Sequence, residues 1–328
     1  MSFITKNYHS LFKLGLAYLT GRNYPFVCVV RLNDACNMTC SYCDSYKLSK
    51  SVELSPLITF LDQIYQKGCR FIILTGGEPF LYKEREALLE WFRGKNIYLV
   101  INSNGKLIQN SSYQDFLKRA DEVLISIDGP AEYNDSLRGQ GAHKRVLETL
   151  QFLKEHHIKR TLSVVLTQMN THEDNFRYLR ELKIRYDTSI GFNPVTPDGR
   201  INNSEFSQNN SVPKDRLMAL KAFIKLNRKI FLETPALLMD YFISPQPFTC
   251  KTMKFALYVD VDHGIYPCIN VTHRPEARFS DLESYNGKYQ KKIHCQECSC
   301  TPLIMGNLML QERLPKPKYI FSILKRFW

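Results

Sequence analysis

The chain has 328 residues, 44% hydrophobic and 23% charged, a balance ordinary for a soluble globular protein and enough length for one large or two modest domains. Its net charge of +12 favours anionic partners such as phosphates, acidic peptides, nucleic acid or a negatively charged membrane surface, without choosing among them. No run approaches the roughly 18 apolar residues of a spanning helix, and ten cysteines without a secretory signal read as metal ligands in a reducing cytoplasm rather than as disulfides.

In chain order, residues 1–22 come first as an amphipathic segment. Phe3, Ile4, Leu11, Phe12, Leu14, Leu16 and Leu19 are interrupted by Lys6, His9 and Lys13, so no continuous apolar stretch marks a secretion signal. From Pro25 onward, apolar runs alternate with helix-period segments. Strands are predicted at 25–32, 70–75, 97–102, 122–127, 160–167 and 188–193, and helices near 54–67, 82–94, 111–120, 142–157 and 172–184. Ser55-Pro56 reads as a cap and an opening proline for the first helix; Gly68 and Gly94 read as the stops of the first two. Cys28, inside Phe26-Val27-Cys28-Val29-Val30, reads as a small buried hydrophobe. Most strands are apolar on both alternating positions, which suits a parallel sheet. Serial β-α units imply that sheet too, because each crossover helix returns the chain in the same direction. Alternation by itself does not separate a curled partial barrel from a flat doubly wound sheet. Residues 195–212, with Pro197, Gly199, two Asn pairs and three Ser, read as a linker or loop; helical periodicity resumes near 213–242. Tyr258 to Cys268 reads as a hairpin turning near Asp262–Gly264. Residues 313–328 alternate Lys316, Lys318, Lys325 and Arg326 with aromatics and aliphatics, a pattern suited to a membrane interface or to the protein's own surface.

The most informative string is Cys36-Asn37-Met38-Thr39-Cys40-Ser41-Tyr42-Cys43. Three thiolates at this spacing can hold three corners of a cubane iron–sulfur cluster, where four are usual, leaving one iron for a small molecule. A zinc knuckle needs further ligands, and no histidine lies between Cys36 and Cys69. Every chemistry-bearing string follows or closes a predicted strand: Cys36 the first, Gly76 the second, Asn102 the third, Ser126 the fourth, Asn193 the sixth. Working loops gather at those carboxyl ends in parallel α/β sheets.

With Gly76-Gly77-Glu78-Pro79, Asn102-Ser103-Asn104-Gly105, Ser126-Ile127-Asp128-Gly129-Pro130 and Asn134-Asp135-Ser136-Leu137-Arg138-Gly139 following in order, the chain resembles the radical S-adenosylmethionine (SAM) enzymes over residues 25–194, more weakly to Cys300. The resemblance implies an α/β fold, a partial (β/α)6 barrel of parallel strands, with a small cysteine-rich α+β extension. It implies a [4Fe–4S] cluster on Cys36, Cys40 and Cys43, and SAM on the free iron. That cluster reductively cleaves SAM to a 5′-deoxyadenosyl radical, which abstracts hydrogen from a peptide, protein, metabolite or lipid. Tyr42 matches the family's aromatic residue. Gly76, Gly77 and Glu78 take the SAM amine. Ser126 and Asp128 suit the ribose hydroxyls or the amine. Arg138 is the candidate clamp for the SAM carboxylate, with Arg145 the runner-up. Asn102 and Asn104 line the same pocket or form a turn.

Cys250, Cys268, Cys295, Cys298 and Cys300 form a second group resembling the SPASM or twitch extension of radical SAM enzymes, with too few cysteines for two further clusters. The resemblance implies one auxiliary [4Fe–4S] cluster on Cys250, Cys268, Cys295 and Cys298, with Cys300 as substitute. Zinc is the alternative, with His294 an extra ligand. The expected organisation is an amphipathic segment over 1–22, a radical SAM core over 23–212, a helical linker over 213–247, a SPASM-like module over 248–312 and a basic tail over 313–328. The expected partners are a flavodoxin- or ferredoxin-like electron donor and an unidentified substrate. Nucleic acid is not expected, and the location is cytoplasmic with peripheral membrane contact through the termini. The rival reading is an iron–sulfur or zinc scaffold on nucleic acid or a membrane, without SAM cleavage.

Overall fold

The computed structural model describes residues 24–197, 201–227, 236–244, 255–266 and 277–282, together with Lys13, Leu16, Thr20, Ile230, Phe248, Thr249, His294 and Cys295. Cys250, Cys268, Cys298, Cys300, the tail 313–328 and most of 1–22 lie outside the described residues.

All six predicted strands form: β1 (Val27–Arg31), β2 (Phe71–Thr75), β3 (Tyr98–Ser103), β4 (Glu122–Ser126), β5 (Lys159–Leu166) and β6 (Ser189–Pro194). They pair in parallel and in chain order. Chain order resolves what alternation left open. A doubly wound sheet reverses its strand order at a switch point, whereas successive right-handed crossovers without reversal place the helices on one face and curl the sheet toward a barrel. The helices between the strands are α1 (Leu54–Gln66), α2 (Arg85–Phe92), α3 (Ser111–Leu117), α4 (Ala131–Arg138), α5 (Ala142–Glu155) and α6 (Glu173–Tyr186).

Packing follows from the strand alternation. In β1 and β2, fully buried positions alternate with half-buried ones, as expected where helices cover one face and the other stays open. Val30, Leu74, Ile101 and Val123 stand side by side across four strands, each at most 1% exposed. Burying such side chains contributes about 1.5–3 kcal/mol each.

Three local expectations are corrected. α1 begins at Leu54, so Ser55 lies inside its first turn; Glu53 is the cap residue and makes no side-chain cap bond. The predicted linker 195–212 contains α7 (Ser204–Asn209), whose cap Asn203 accepts from the Phe206 N–H at 2.9 Å. The helical stretch 213–242 is two helices, α8 (Lys214–Leu226) and α9 (Ala236–Ile243). α4 was not predicted at all, although Pro130 before it and Gly139 after it are ordinary start and stop residues. Gly68 does end α1, at φ +109°, where an added Cβ would meet the Tyr24 ring at 2.2–2.8 Å.

The predicted hairpin forms from β8 (Ala256–Val259) and β9 (Gly264–Tyr266), turning through His263 at φ +63°. β8 joins the core sheet itself, pairing in parallel with β1 from Val27–Ala256 to Val30–Val259. Before it, β7 (Phe248–Thr249) pairs antiparallel with β11 (His294–Cys295); after β9, β10 (Ala277–Arg278) extends the main sheet. No helix among the described residues is long and apolar enough to cross a membrane.

At the amino ends of the strands, buried Glu122 accepts from Tyr98 Oη at 3.1 Å and from Thr161 Oγ1 at 2.6 Å. Tyr98, which opens β3, and Cys69, which precedes β2, therefore lie at the end of the sheet opposite the cysteine loop. Tyr98→Phe leaves a buried carboxylate one donor short and is expected to lower unfolding free energy by about 1–3 kcal/mol, measured by urea denaturation, with any SAM chemistry at the other end unchanged.

Candidate functional site

β1 ends at Arg31 and the chain enters a loop whose neck is closed by backbone bonds. The Val52 N–H donates to Leu32 O (2.9 Å), the Asp34 N–H donates to Lys50 O (2.8 Å), and Asn33 bridges Ser51. Charge locks it below. Buried Arg31 donates from Nε to Asp34 Oδ1 (3.0 Å) and from Nη2 to Ser45 Oγ (2.8 Å), and reaches Asp260, just after β8, at 3.5 Å. Inside this loop, Cys36, Cys40 and Cys43 are free, half-buried thiols. The Cys43 N–H closes a turn onto Cys40 O (3.0 Å), and the Ser41 N–H donates to Leu137 O (2.9 Å) in the last turn of α4. Residues predicted as linker form its outer wall. Asn202 bridges Cys43, the Asp44 N–H donates to Ile201 O (2.6 Å), and the Asn203 N–H donates to Tyr42 O (3.0 Å).

Burial pushes the Cys36 thiol up to about 11, with the Met38 N–H working against it and Glu78 adding to it. Burial also raises Cys40 and Cys43, and Arg138 works against the rise at both. Without a metal, the triad is held as thiols, so metal binding must release protons.

Gly76 and Gly77 follow β2, and their reason is visible. A Cβ on Gly77 would lie 2.2 Å from the carbonyl oxygens of Asp34 and Ala35; one on Gly76 would lie 2.5 Å from Asn33 Oδ1. The glycines let the β2 end press against the cysteine loop, with the Gly77 N–H donating to Asn33 O and the Glu78 N–H to Ala35 O, both at 2.8 Å. The close approach is thus one of backbone to backbone, between the β2 end and the cysteine loop. Glu78 is fully buried. Its carboxylate accepts from Ser103 Oγ (2.9 and 3.0 Å), the Asn104 N–H (2.9 Å) and the Phe80 N–H (3.4 Å), all neutral donors. Burial, opposed by those bonds, pushes its pKa up to about 7.

Asp128, two residues past β4 and fully buried, gathers the rest. Its carboxylate accepts from Arg138 Nε (2.8 Å) and Nη2 (3.0 Å), Tyr42 Oη (2.9 Å) and the Val165 N–H (2.9 Å). Its backbone N–H donates to Asn134 Oδ1, and its carbonyl accepts from Asn170 Nδ2 and Asn175 Nδ2. Burial works against the Arg138 charge, and Asp128 outweighs it, so the guanidinium is held charged. The two residues expected to touch ribose and carboxylate are thus bonded to each other, through the bidentate geometry that suits this pair. Ser126 ends β4, half-buried. Asn102, near the end of β3, donates to Thr75 Oγ1 at 3.4 Å and leaves Oδ1 buried without a partner. Arg145, the runner-up clamp, forms a surface ion pair with Glu148 along α5 at 2.8 Å, both about one-third exposed.

The residues present fit a cluster and a zwitterionic ligand. A cubane takes one thiolate on each of three irons, and three free, half-buried thiols stand in this one loop. Among the described residues, Glu78 is a buried carboxyl with neutral donors only, and Asn37 Nδ2 and Asn102 Oδ1 are buried polar atoms without partners.

The Glu78 shift has a definite pH signature. A carboxyl raised in the folded state contributes stability below its unfolded value, about 4.3, and that contribution is lost as pH rises through about 7. Urea denaturation of metal-free protein is expected to show stability falling across that window, and Glu78→Gln is expected to flatten the fall.

Comparison with known proteins places these features. The model of the radical SAM superfamily matches residues 30–182. The chain is 29% identical over 159 residues to the Fe-coproporphyrin III synthase of Methanosarcina barkeri, spanning 38% of that relative's length and 45% of its own. It is 23% identical over 318 residues to the cysteine-type anaerobic sulfatase-maturating enzyme of Clostridium novyi, covering 82% of this chain and 83% of the relative. Mycofactocin maturase of Mycobacterium tuberculosis is 28% identical over 195 residues, covering 55% of this chain and 47% of that one. Among solved structures, native anSMEcpe with bound AdoMet and a peptide shares the fold at TM-score 0.64 and 20% identity, over 92% of this chain and 95% of that one. Streptococcus suis SuiB bound to S-adenosylmethionine shares it at TM-score 0.63 and 15% identity, over 85% and 70%. With the cysteine triad at the end of β1, the Gly-Gly-Glu string at the end of β2 and a parallel partial barrel beneath them, the chain carries a radical SAM domain over residues 30–182.

Proposed function

We propose that this protein is a radical SAM enzyme that modifies a peptide or protein substrate by hydrogen abstraction. The observation that carries the reading is the cysteine triad: three free thiols in one neck-locked loop at the carboxyl end of β1, facing a buried carboxylate that has only neutral partners. When bound, a [4Fe–4S] cluster with one open iron and SAM together supply reductive cleavage of the sulfonium and a 5′-deoxyadenosyl radical.

The chain's own residues do the remainder. Cys36, Cys40 and Cys43 hold the cluster. Glu78 offers its charge to the ligand's ammonium, a strong contact for a buried carboxylate. Ser126, at the β4 end, offers a hydroxyl to the ribose. Arg138 and Asp128 act as one positioning unit, because the carboxylate is saturated by protein donors. Tyr42, donating to Asp128 and lying beneath the Arg138 guanidinium at 5.4 Å, shields the cluster loop. A peptide substrate is favoured because the sulfatase-maturating relative aligns over most of both chains. An auxiliary cluster on Cys250, Cys268, Cys295 and Cys298, with Cys300 as substitute, completes the reading, as does a flavodoxin- or ferredoxin-like donor. The basic amphipathic ends favour peripheral contact with an anionic membrane.

Anaerobic protein reconstituted with iron and sulfide, then given SAM and dithionite, is expected to form 5′-deoxyadenosine. Replacing Cys36, Cys40 and Cys43 by alanine is expected to reduce that to background. Iron near eight atoms per chain supports two cubanes; near four, one. An iron-replete preparation that neither forms 5′-deoxyadenosine nor responds spectrally to SAM overturns the assignment in favour of a scaffold. Asp128→Asn is expected to retain iron while lowering SAM cleavage about 10–100-fold, the usual cost of losing an outer-shell partner.

A further inference from the structure

We infer that Asn104 is a positioning residue for the Cys36 corner: its side-chain amide donates to the Cys36 sulfur and helps set the reduction potential of a cluster held there. The inference rests on the function proposed above and adds a residue to it. Asn104 follows β3 and is 9% exposed. Its Nδ2 lies 2.8 Å from Asn37 Oδ1 and 3.8 Å from Cys36 Sγ, so the two amide hydrogens have separate acceptors.

The orientation of this amide is dictated by its neighbours. The Lys106 N–H, which can only donate, meets Asn104 Oδ1 at 2.9 Å, so Nδ2 must face the cysteine loop. The backbone is equally held. The Asn104 N–H donates to Glu78 Oε2 (2.9 Å), the Gly105 N–H to Ser103 Oγ (3.3 Å), and Thr149 Oγ1 donates to Gly105 O (2.9 Å). Lys106 Nζ donates to Asn37 O at 2.8 Å, tying the same turn to the residue after Cys36. One side chain thus closes an Asx turn with its oxygen and reaches a metal-ligand sulfur with its nitrogen. A hydrogen bond to a ligating thiolate withdraws charge from it and favours the reduced, more negative cluster. Glu78, besides any ligand contact, places Asn104 and so acts on the cluster from a second direction.

The test uses full-length protein with its cluster reconstituted and no SAM added. Asn104→Asp keeps the oxygen that accepts from Lys106 and removes both amide hydrogens; Asn104→Ser keeps a turn-forming oxygen and removes the amide. EPR-monitored redox titration is expected to give a more negative midpoint potential in both variants, and chelator challenge is expected to strip iron about tenfold faster. Wild-type protein carrying asparagine labelled with ¹⁵N at the side-chain amide is expected to show an altered nitrogen coupling to the reduced cluster by pulsed EPR, absent in Asn104→Asp. If either variant fails to fold, the wild-type labelling decides. Unchanged potentials, or labelled and unlabelled wild-type spectra that superimpose, overturn the inference and leave Asn104 a turn residue. Those outcomes, seen while wild-type protein still forms 5′-deoxyadenosine, leave the proposed function standing; loss of the cluster or of SAM cleavage in wild type strikes the proposed function instead.

Discussion

The Asp128–Arg138 ion pair ties together the parts of the site that the chain keeps far apart. Asp128 leaves β4, Arg138 ends α4, Tyr42 comes from the cysteine loop, Val165 from β5, and Asn170 and Asn175 from the loop and helix that follow. Removing two charges from water is costly, and a buried pair is tolerated only when its remaining lone pairs and protons are satisfied. Here every carboxylate acceptor position is taken. Breaking such a pair from one side costs about 3–5 kcal/mol. The last turn of α4 also accepts the Ser41 N–H, so the orientation of one short helix is transmitted directly to the residues between the second and third cysteines.

A second constraint is steric. The cysteine loop and the Gly76–Gly77 turn occupy nearly the same space, and only hydrogen atoms in place of side chains let them meet. The close approach leads the chain straight into Glu78, which is buried among neutral donors only, as far as the described residues go. A carboxylate placed this way is easier to protonate, and its pKa rises to about 7. It also organises the Ser103–Lys106 turn, so one residue joins the β2 end to the turn that follows β3.

The C-terminal hairpin reaches the same loop by a third route. β8 extends the sheet beside β1, and Asp260 at its end meets Arg31 beneath the loop neck. Arg31 is shared between Asp34 and Asp260, so the strand carrying the cysteine loop and the strand leading into the second cysteine group are fastened at one buried guanidinium. Any movement of the hairpin is therefore felt at the neck of the cysteine loop.

The chemistry was legible in the sequence because it depends on residue type and local spacing. The C-x3-C-x2-C triad, the Gly-Gly-Glu string and six apolar runs are properties of contiguous residues, and the strands formed within a residue or two of where they were read. Long periodic helices were equally visible; α4 and α7 were not, because Ala131–Arg138 and Ser204–Asn209 hold too few apolar residues to show a helical period. Tertiary structure alone decided the rest. Whether the sheet curls or doubles back depends on strand order, which is a matter of pairing between distant segments. Whether Asp128 and Arg138 face a ligand or each other depends on where α4 lies against β4. Whether Asn104 merely turns the chain or also reaches a cysteine depends on how closely two loops 68 residues apart pack together. Sequence specifies the functional groups; the packing that makes neighbours of remote ones assigns each a partner.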